Sequence, residues 1–159
     1  MIRKKTASLF SSCASMGAYS VFAAQEEVEK ARVFGDTLGM MFQIRDDIFD
    51  YFNSPEIGKP TGNDMAEGKL TLPVIYALRN TPLESMINLA RKVKAGTINV
   101  DEIAVLVEFA KQQGGIEYAE QRMQDFYTKA MVFVEHSVKS DEIHDALVTY
   151  LDYVKNRNH

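Results

Sequence analysis

Seven apolar residues, Val28, Ala31, Phe34, Leu38, Met41, Ile44 and Ile48, recur at every third or fourth position. That is the α-helical period, and it predicts one long helix from about Glu26 to Phe52. Asn53-Ser54-Pro55 ends it, because a residue preceding proline is pushed out of the helical region. Strand signals are scarce elsewhere.

The rest of the chain reads the same way. Between about Lys4 and Ala23 the larger residues Leu9, Phe10, Cys13, Met16 and Tyr19 are separated by Ala, Ser and Gly, a composition that permits close helix–helix approach. The basic start and Val21-Phe22-Ala23-Ala24 mimic a secretory signal. Ser8, Ser11, Ser12, Ser15 and Ser20, however, interrupt the apolar centre such a signal requires. A helix is expected from Leu72 to Arg79. Thr81-Pro82 reads as an N-cap with proline at the first helical position, opening a helix that runs to about Ala95 and stops at Gly96. Asn99 caps another to about Gln113, closed by Gly114-Gly115. Residues 116–137 carry Ile116, Ala119, Met123, Phe126, Ala130 and Phe133 on one stripe. Asp141 opens the last helix, with Ile143, Leu147, Tyr150, Leu151 and Val154 expected to be buried. The expected fold class is all-α, with about six or seven helices in a single domain over residues 1–159.

Composition narrows the function. The net charge of −4 excludes a generally basic nucleic-acid binder, so a phosphate-bearing partner must be held by local groups or a metal ion. One cysteine, Cys13, excludes an internal disulfide, and a reducing, cytoplasmic setting is expected. No apolar run approaches the ~18–20 residues of a transmembrane helix.

The chemistry concentrates in Phe42-Gln43-Ile44-Arg45-Asp46-Asp47-Ile48-Phe49-Asp50-Tyr51. On a helix Asp46, Asp47 and Asp50 lie along one side, and Gln43 shares it. Like charges so spaced cost about 0.2–0.5 kcal/mol per pair. The apolar neighbours Met40, Met41, Phe42, Ile44, Ile48 and Phe49 put the carboxylates at the edge of a core. Carboxylates there either hold protons or take a cation, and oxygen-only ligands favour Mg²⁺ or Ca²⁺ over zinc. A bare pattern of this kind is more often a solvated acidic face. Asp141-Glu142-Ile143-His144-Asp145 has similar spacing but begins a helix, where acidic residues complement the dipole, and reads as capping.

Residues 54–70 break the helical pattern with Pro55, Pro60, Gly58, Gly62 and Gly68, yet also hold Lys59, Asp64, Glu67 and Lys69. A loop this long in a compact domain is uncommon unless it binds something. Lys5-Thr6, Lys59 and Lys69 could supply the counter-charges of a metal-bridged diphosphate clamp, although surface lysines are usually just solvated.

Three motifs occur in order: Lys5-Thr6-Ala7-Ser8-Leu9-Phe10; Gly39-Met40-Met41-Phe42-Gln43-Ile44-Arg45-Asp46-Asp47-Ile48-Phe49-Asp50; and Gly58-Lys59-Pro60-Thr61-Gly62-Asn63-Asp64-Met65-Ala66-Glu67-Gly68-Lys69-Leu70-Thr71-Leu72-Pro73. With the ending Tyr150-Leu151-Asp152-Tyr153-Val154-Lys155-Asn156-Arg157, the sequence closely resembles the C-terminal half of trans-isoprenyl (polyprenyl) diphosphate synthases. The resemblance implies part of an isoprenoid-synthase-type helical bundle and a prenyltransferase that condenses an allylic diphosphate with isopentenyl diphosphate. By position, Asp46, Asp47 and Asp50 match the second aspartate-rich motif. The first aspartate there is a Mg²⁺ ligand, and its neighbours support the metal's water shell. Lys5 and Lys59 match lysines that contact the allylic diphosphate. Thr6 and Gln43 match polar groups beside the reacting carbon. Lys69 lies in the right motif, and Asp64 is a candidate for ordering the loop.

The family also uses a first aspartate-rich motif and a basic isopentenyl diphosphate site, both in its N-terminal half, and neither is present in this sequence. The expectation is therefore a truncated synthase, inactive as an isolated chain, that self-associates as a homo-oligomer or meets a partner covering an exposed apolar face. The rival readings are a non-catalytic diphosphate/Mg²⁺-binding or regulatory partner of a synthase, and a helical dimerisation domain.

Overall fold

The computed structural model describes residues 6–52 and 61–157, and all regular structure among them is helical. Eight helices follow one another: α1 (Ser8–Ser20), α2 (Gln25–Phe49), α3 (Asn63–Ala66), α4 (Leu72–Asn80), α5 (Glu84–Ala95), α6 (Val100–Gln112), α7 (Gly115–Ser137) and α8 (Asp141–Asn156). The count exceeds the expected six or seven, and one cause is a single helical turn, α3, within the segment read as loop. The described chain divides into two compact units, residues up to Arg45 with Arg122 onward, and Asp46–Gln121.

In the first unit α1 lies against α2 because small residues let the backbones approach. A Cβ built on Gly39 would sit 2.5 Å from the Ala7 Cα, and one on Gly35 would overlap the Phe10 carbonyl. Side chains cannot be accommodated at those two positions, which accounts for the glycines of α2 at this contact. Ser11 is buried and donates to the Arg32 carbonyl at 3.0 Å. The α2 stripe supplies buried Phe34, Leu38, Met41 and Ile44, joined by Met123, Ala130, Val134, Leu151 and Val154. Phe34 stacks on Phe133 of α7 at 4.6 Å. In α8 the expected burial holds for Leu151 and Val154 but not for Leu147, which is half-buried, nor for Ile143 and Tyr150, which are 55% and 41% exposed. Their periodicity is right, but the surface covering α8 is narrower than its apolar stripe.

In the second unit α6 is the hub against which α3, α4 and α5 pack. Asn99 caps α6 as expected and, with Glu102, completes a capping box, and Gly96 ends α5 in the left-handed conformation at φ 67°. The Thr81-Pro82 cap is corrected: α5 starts at Glu84, and Thr81 terminates α4 instead. The Thr81 hydroxyl donates to Gln113 Oε1 at 2.8 Å, a partner far along the chain that removes it from capping. Ser140 caps α8, and Asp141 and Glu142 occupy its first turn as expected. No helix among the described residues is long and apolar enough to cross a membrane.

Candidate functional site

α2 carries Gln43, Asp46 and Asp47 near its C-terminal end, and Asp50 follows directly after it. In the first unit the Thr6 hydroxyl donates to Gln43 Oε1 at 2.7 Å, so two polar groups singled out 37 positions apart in the sequence meet. Phe42, beside Gln43, packs against Phe10 at 5.6 Å. The same turn is held from the chain's end. Arg45 donates through Nε and Nη2 to the Arg157 carbonyl at 2.9 and 2.7 Å. The Arg157 guanidinium lies 4.0 Å over the Phe42 ring and donates to the Phe42 carbonyl at 3.2 Å. Sequence reasoning assigned no role to Arg45 or Arg157. Their only signal was membership of the motif and of the terminal pattern.

In the second unit the three aspartates have different surroundings. Asp46 is half-buried, whereas Asp47 is only 3% exposed. Asp50 lies just beyond α2 and accepts two backbone amides, Asn63 N–H on Oδ1 at 2.9 Å and Asp64 N–H on Oδ2 at 3.0 Å. Its own carbonyl accepts the Gly62 amide at 2.8 Å. Burial raises the Asp50 carboxyl above its ordinary range, the two amides pull it back, and the charges of Asp64 and Glu67 push it further up. Next to it Tyr51 is fully buried, and burial pushes its phenol well up. Its hydroxyl pairs with Thr71 Oγ1 at 2.8 Å and accepts the Val74 amide at 3.2 Å, so Tyr51 serves as the cap of α4 that Thr71 does not provide.

Lys69 pairs with Glu67 and, at 3.4 Å, with Asp64, and the Glu67 contact chiefly raises its pKa. Its amide donates to the Asp64 carbonyl at 2.8 Å. Lys5 and Lys59 lie outside the described residues.

Among the described residues no three His, Cys, Asp or Glu side chains converge to hold a metal. An all-protein cage is therefore not built there. Mg²⁺, however, is commonly bound through one or two carboxylates, with water and substrate phosphates completing its octahedron. The hard carboxylate oxygens of Asp46, half-buried near the end of α2, fit that second arrangement.

The Polyprenyl synthetase family model matches residues 1–109. The chain belongs to that family. Over 98% of its length it is 52% identical to geranylgeranyl pyrophosphate synthase from Bacteroides thetaiotaomicron, with a TM-score of 0.93, covering 51% of that chain. It is 32% identical over its whole length to the short chain isoprenyl diphosphate synthase of Methanothermobacter thermautotrophicus, covering 48% of it. A polyprenyl synthase from Caulobacter crescentus, solved with calcium and isoprenyl diphosphate, is 26% identical with a TM-score of 0.85, over 99% of this chain and 48% of that one. The chain thus spans about half the length of these relatives. The helical fold is that of the synthase family.

Proposed function

We propose that this chain is the C-terminal half of a polyprenyl diphosphate synthase, a single helical domain of that enzyme. It would contribute the second aspartate-rich motif and diphosphate-binding lysines to the condensation of an allylic diphosphate with isopentenyl diphosphate. The hydrogen bond from Thr6 to Gln43 carries the reading, because it joins two groups that the resemblance assigns to the reacting allylic carbon.

In this reading Asp46 is the direct Mg²⁺ ligand, supported by Asp47 and Asp50, and Lys5, Lys59 and Lys69 are assigned to binding the diphosphate. Bound Mg²⁺ would neutralise charge on the diphosphate as it leaves. Lys5 and Lys59 add positive charge where negative charge develops. Thr6 and Gln43 present fixed dipoles, the hydroxyl setting the orientation of the amide. The apolar neighbours of the motif keep water from an allylic cation, which would otherwise be trapped as alcohol. The reaction needs a second, isopentenyl diphosphate-binding half. The isolated chain is accordingly assigned binding without turnover, as a homo-oligomer or with a partner.

Calorimetry with geranyl diphosphate, with and without Mg²⁺, tests this. Mg²⁺-dependent heat that Asp46→Asn weakens at least tenfold is expected. No heat under either condition would leave only a helical dimerisation role. Incorporation of labelled isopentenyl diphosphate by the purified chain would overturn its assignment as inactive alone.

A further inference from the structure

α1 has two uncharged faces, and α2 covers one of them. Ala7 and Ser11 are buried, and Phe10 and Ala14 lie against Gly35, so this side is taken up by α2. The opposite side exposes Leu9, Ser12, Cys13, Met16, Tyr19 and Ser20, which recur at helical spacing. No charged residue occurs between Lys5 and Glu26. A helix whose outer side met only water would carry charge there, as α8 does with Asp141, Glu142 and Asp145 exposed. The face continues into the corner between α1 and α2, at Val21 and Phe22. Among the described residues Phe22 is the one non-glycine with a positive φ, 58°, a conformation that bulky residues rarely adopt, and it is 96% exposed. Leu9, Met16, Tyr19 and Val21 are 64–72% exposed. With Phe22 they leave on the order of 700 Å² of apolar surface uncovered, close to the ~800 Å² per partner of a stable interface and more than a monomer usually keeps in one patch.

We propose that this face binds the same face of a second copy of the chain, in an antiparallel pair about a two-fold axis crossing α1 near its middle. A two-fold contact must be self-complementary, and the residue order supplies that. Reversing the helix sets Leu9 against Ser20, Tyr19 against Ser8 and Met16 against Ser12. Each large side chain then meets a small one, and helices so packed lie about 8–10 Å apart. The lack of charge leaves no repulsion between the copies. Glu26 and Glu27, in the first turn of α2 directly after the corner, disfavour the anionic surface of a membrane as the occupant. The pair deepens the homo-oligomer part of the synthase reading by naming its face. It rests on that reading only for the expectation that the chain associates, and on no bound diphosphate.

Sedimentation velocity of the 159-residue chain across the micromolar range should show a monomer–dimer equilibrium. Met16→Glu should weaken the dimer by roughly tenfold or more, because it places an unpaired carboxylate in an apolar contact. Val132→Glu, which adds the same charge to an exposed part of α7, should leave the dimer unchanged. Cys13 is exposed, is the chain's one cysteine and lies close to the axis, so a short bis-maleimide should join the two copies. If circular dichroism shows that Met16→Glu has lost its helices, cross-linking of the unsubstituted chain decides. A monomer at every concentration overturns the proposal, whether it floats with phosphatidylcholine vesicles or binds the N-terminal half of the Bacteroides thetaiotaomicron synthase. A dimer that ignores Met16→Glu, that Val132→Glu weakens equally, or that the linker does not join uses another face and overturns it too. No diphosphate is present in these measurements. Loss of the dimer therefore leaves the synthase reading standing, and a chain that binds no geranyl diphosphate leaves the dimer result standing.

Discussion

Arg45 and Arg157 are locked together across 112 positions of sequence: the guanidinium of the first donates two hydrogen bonds to the carbonyl of the second. Arg157 reciprocates on the same turn of α2, through the ring and carbonyl of Phe42. The end of the chain is thereby fastened beside Gln43. Charge-assisted bonds of this kind contribute about 1.5–3 kcal/mol. Arg45→Ala should therefore lower unfolding free energy by about 2 kcal/mol in urea titrations. Arg45→Lys, lacking the fork, should recover only part of it. An Arg45→Ala protein as stable as the original would show that the clasp contributes nothing.

Tyr51 caps α4 from outside that helix. Tyr51→Phe keeps the buried ring but leaves the Val74 amide and the Thr71 hydroxyl without the phenol oxygen. The expected loss is about 1–3 kcal/mol, the cost of stranding buried polar groups. Thermal unfolding measures it, and a change below a few tenths of a kcal/mol would contradict the capping role.

Two glycines of the first unit should respond oppositely to alanine. At Gly35 a Cβ would meet the Phe10 carbonyl and would come within 2.9 Å of the Ala14 Cβ, so Gly35→Ala should destabilise by about 1–3 kcal/mol as α1 is forced off α2. Gly17, inside α1, has nothing within 4 Å, and Gly17→Ala should stabilise by about 0.5–1 kcal/mol through helix propensity alone. Shifts of the same sign in a calorimetric melt would rule out the close approach of the two helices.

Alkaline pH reads the joint between α7 and α8. The Tyr127 hydroxyl donates to Asp152 Oδ1 at 2.8 Å, and that bond chiefly raises the phenol above its ordinary value of 10.0. The folded state then holds the proton more tightly than the unfolded state. The bond's contribution is complete below pH 10 and fades as the pH rises through the raised value. Stability measured from pH 9 to 11 should fall less steeply in Tyr127→Phe than in the unsubstituted chain. Parallel curves would show that this phenol does not couple to folding.

Much of the fold was legible from local pattern. The apolar spacing of α2, the Asn99 cap and the Gly96 stop each depend on residues within a turn or two of one another, where neighbours in sequence are neighbours in space. Thr81 misled for the opposite reason. Its sequence context suits an N-cap, but its hydroxyl is taken by Gln113. Ile143 and Tyr150 were expected inside because periodicity identifies a helix face without revealing how much of it a neighbour covers.

The candidate site divides along the same line. The linear chain already carried the all-α class and the family, since helical period and ordered motifs are properties of sequence alone, whereas the expected helical side shared by three aspartates lost Asp50, which lies beyond the end of α2. Only the tertiary structure decided that Thr6 meets Gln43, that Arg157 returns to Phe42, and that both Asp50 oxygens face the amides of residues 63 and 64. Three aspartates alike in one dimension became unlike in three, because a carboxylate's role follows from the donors that the returning chain brings to it.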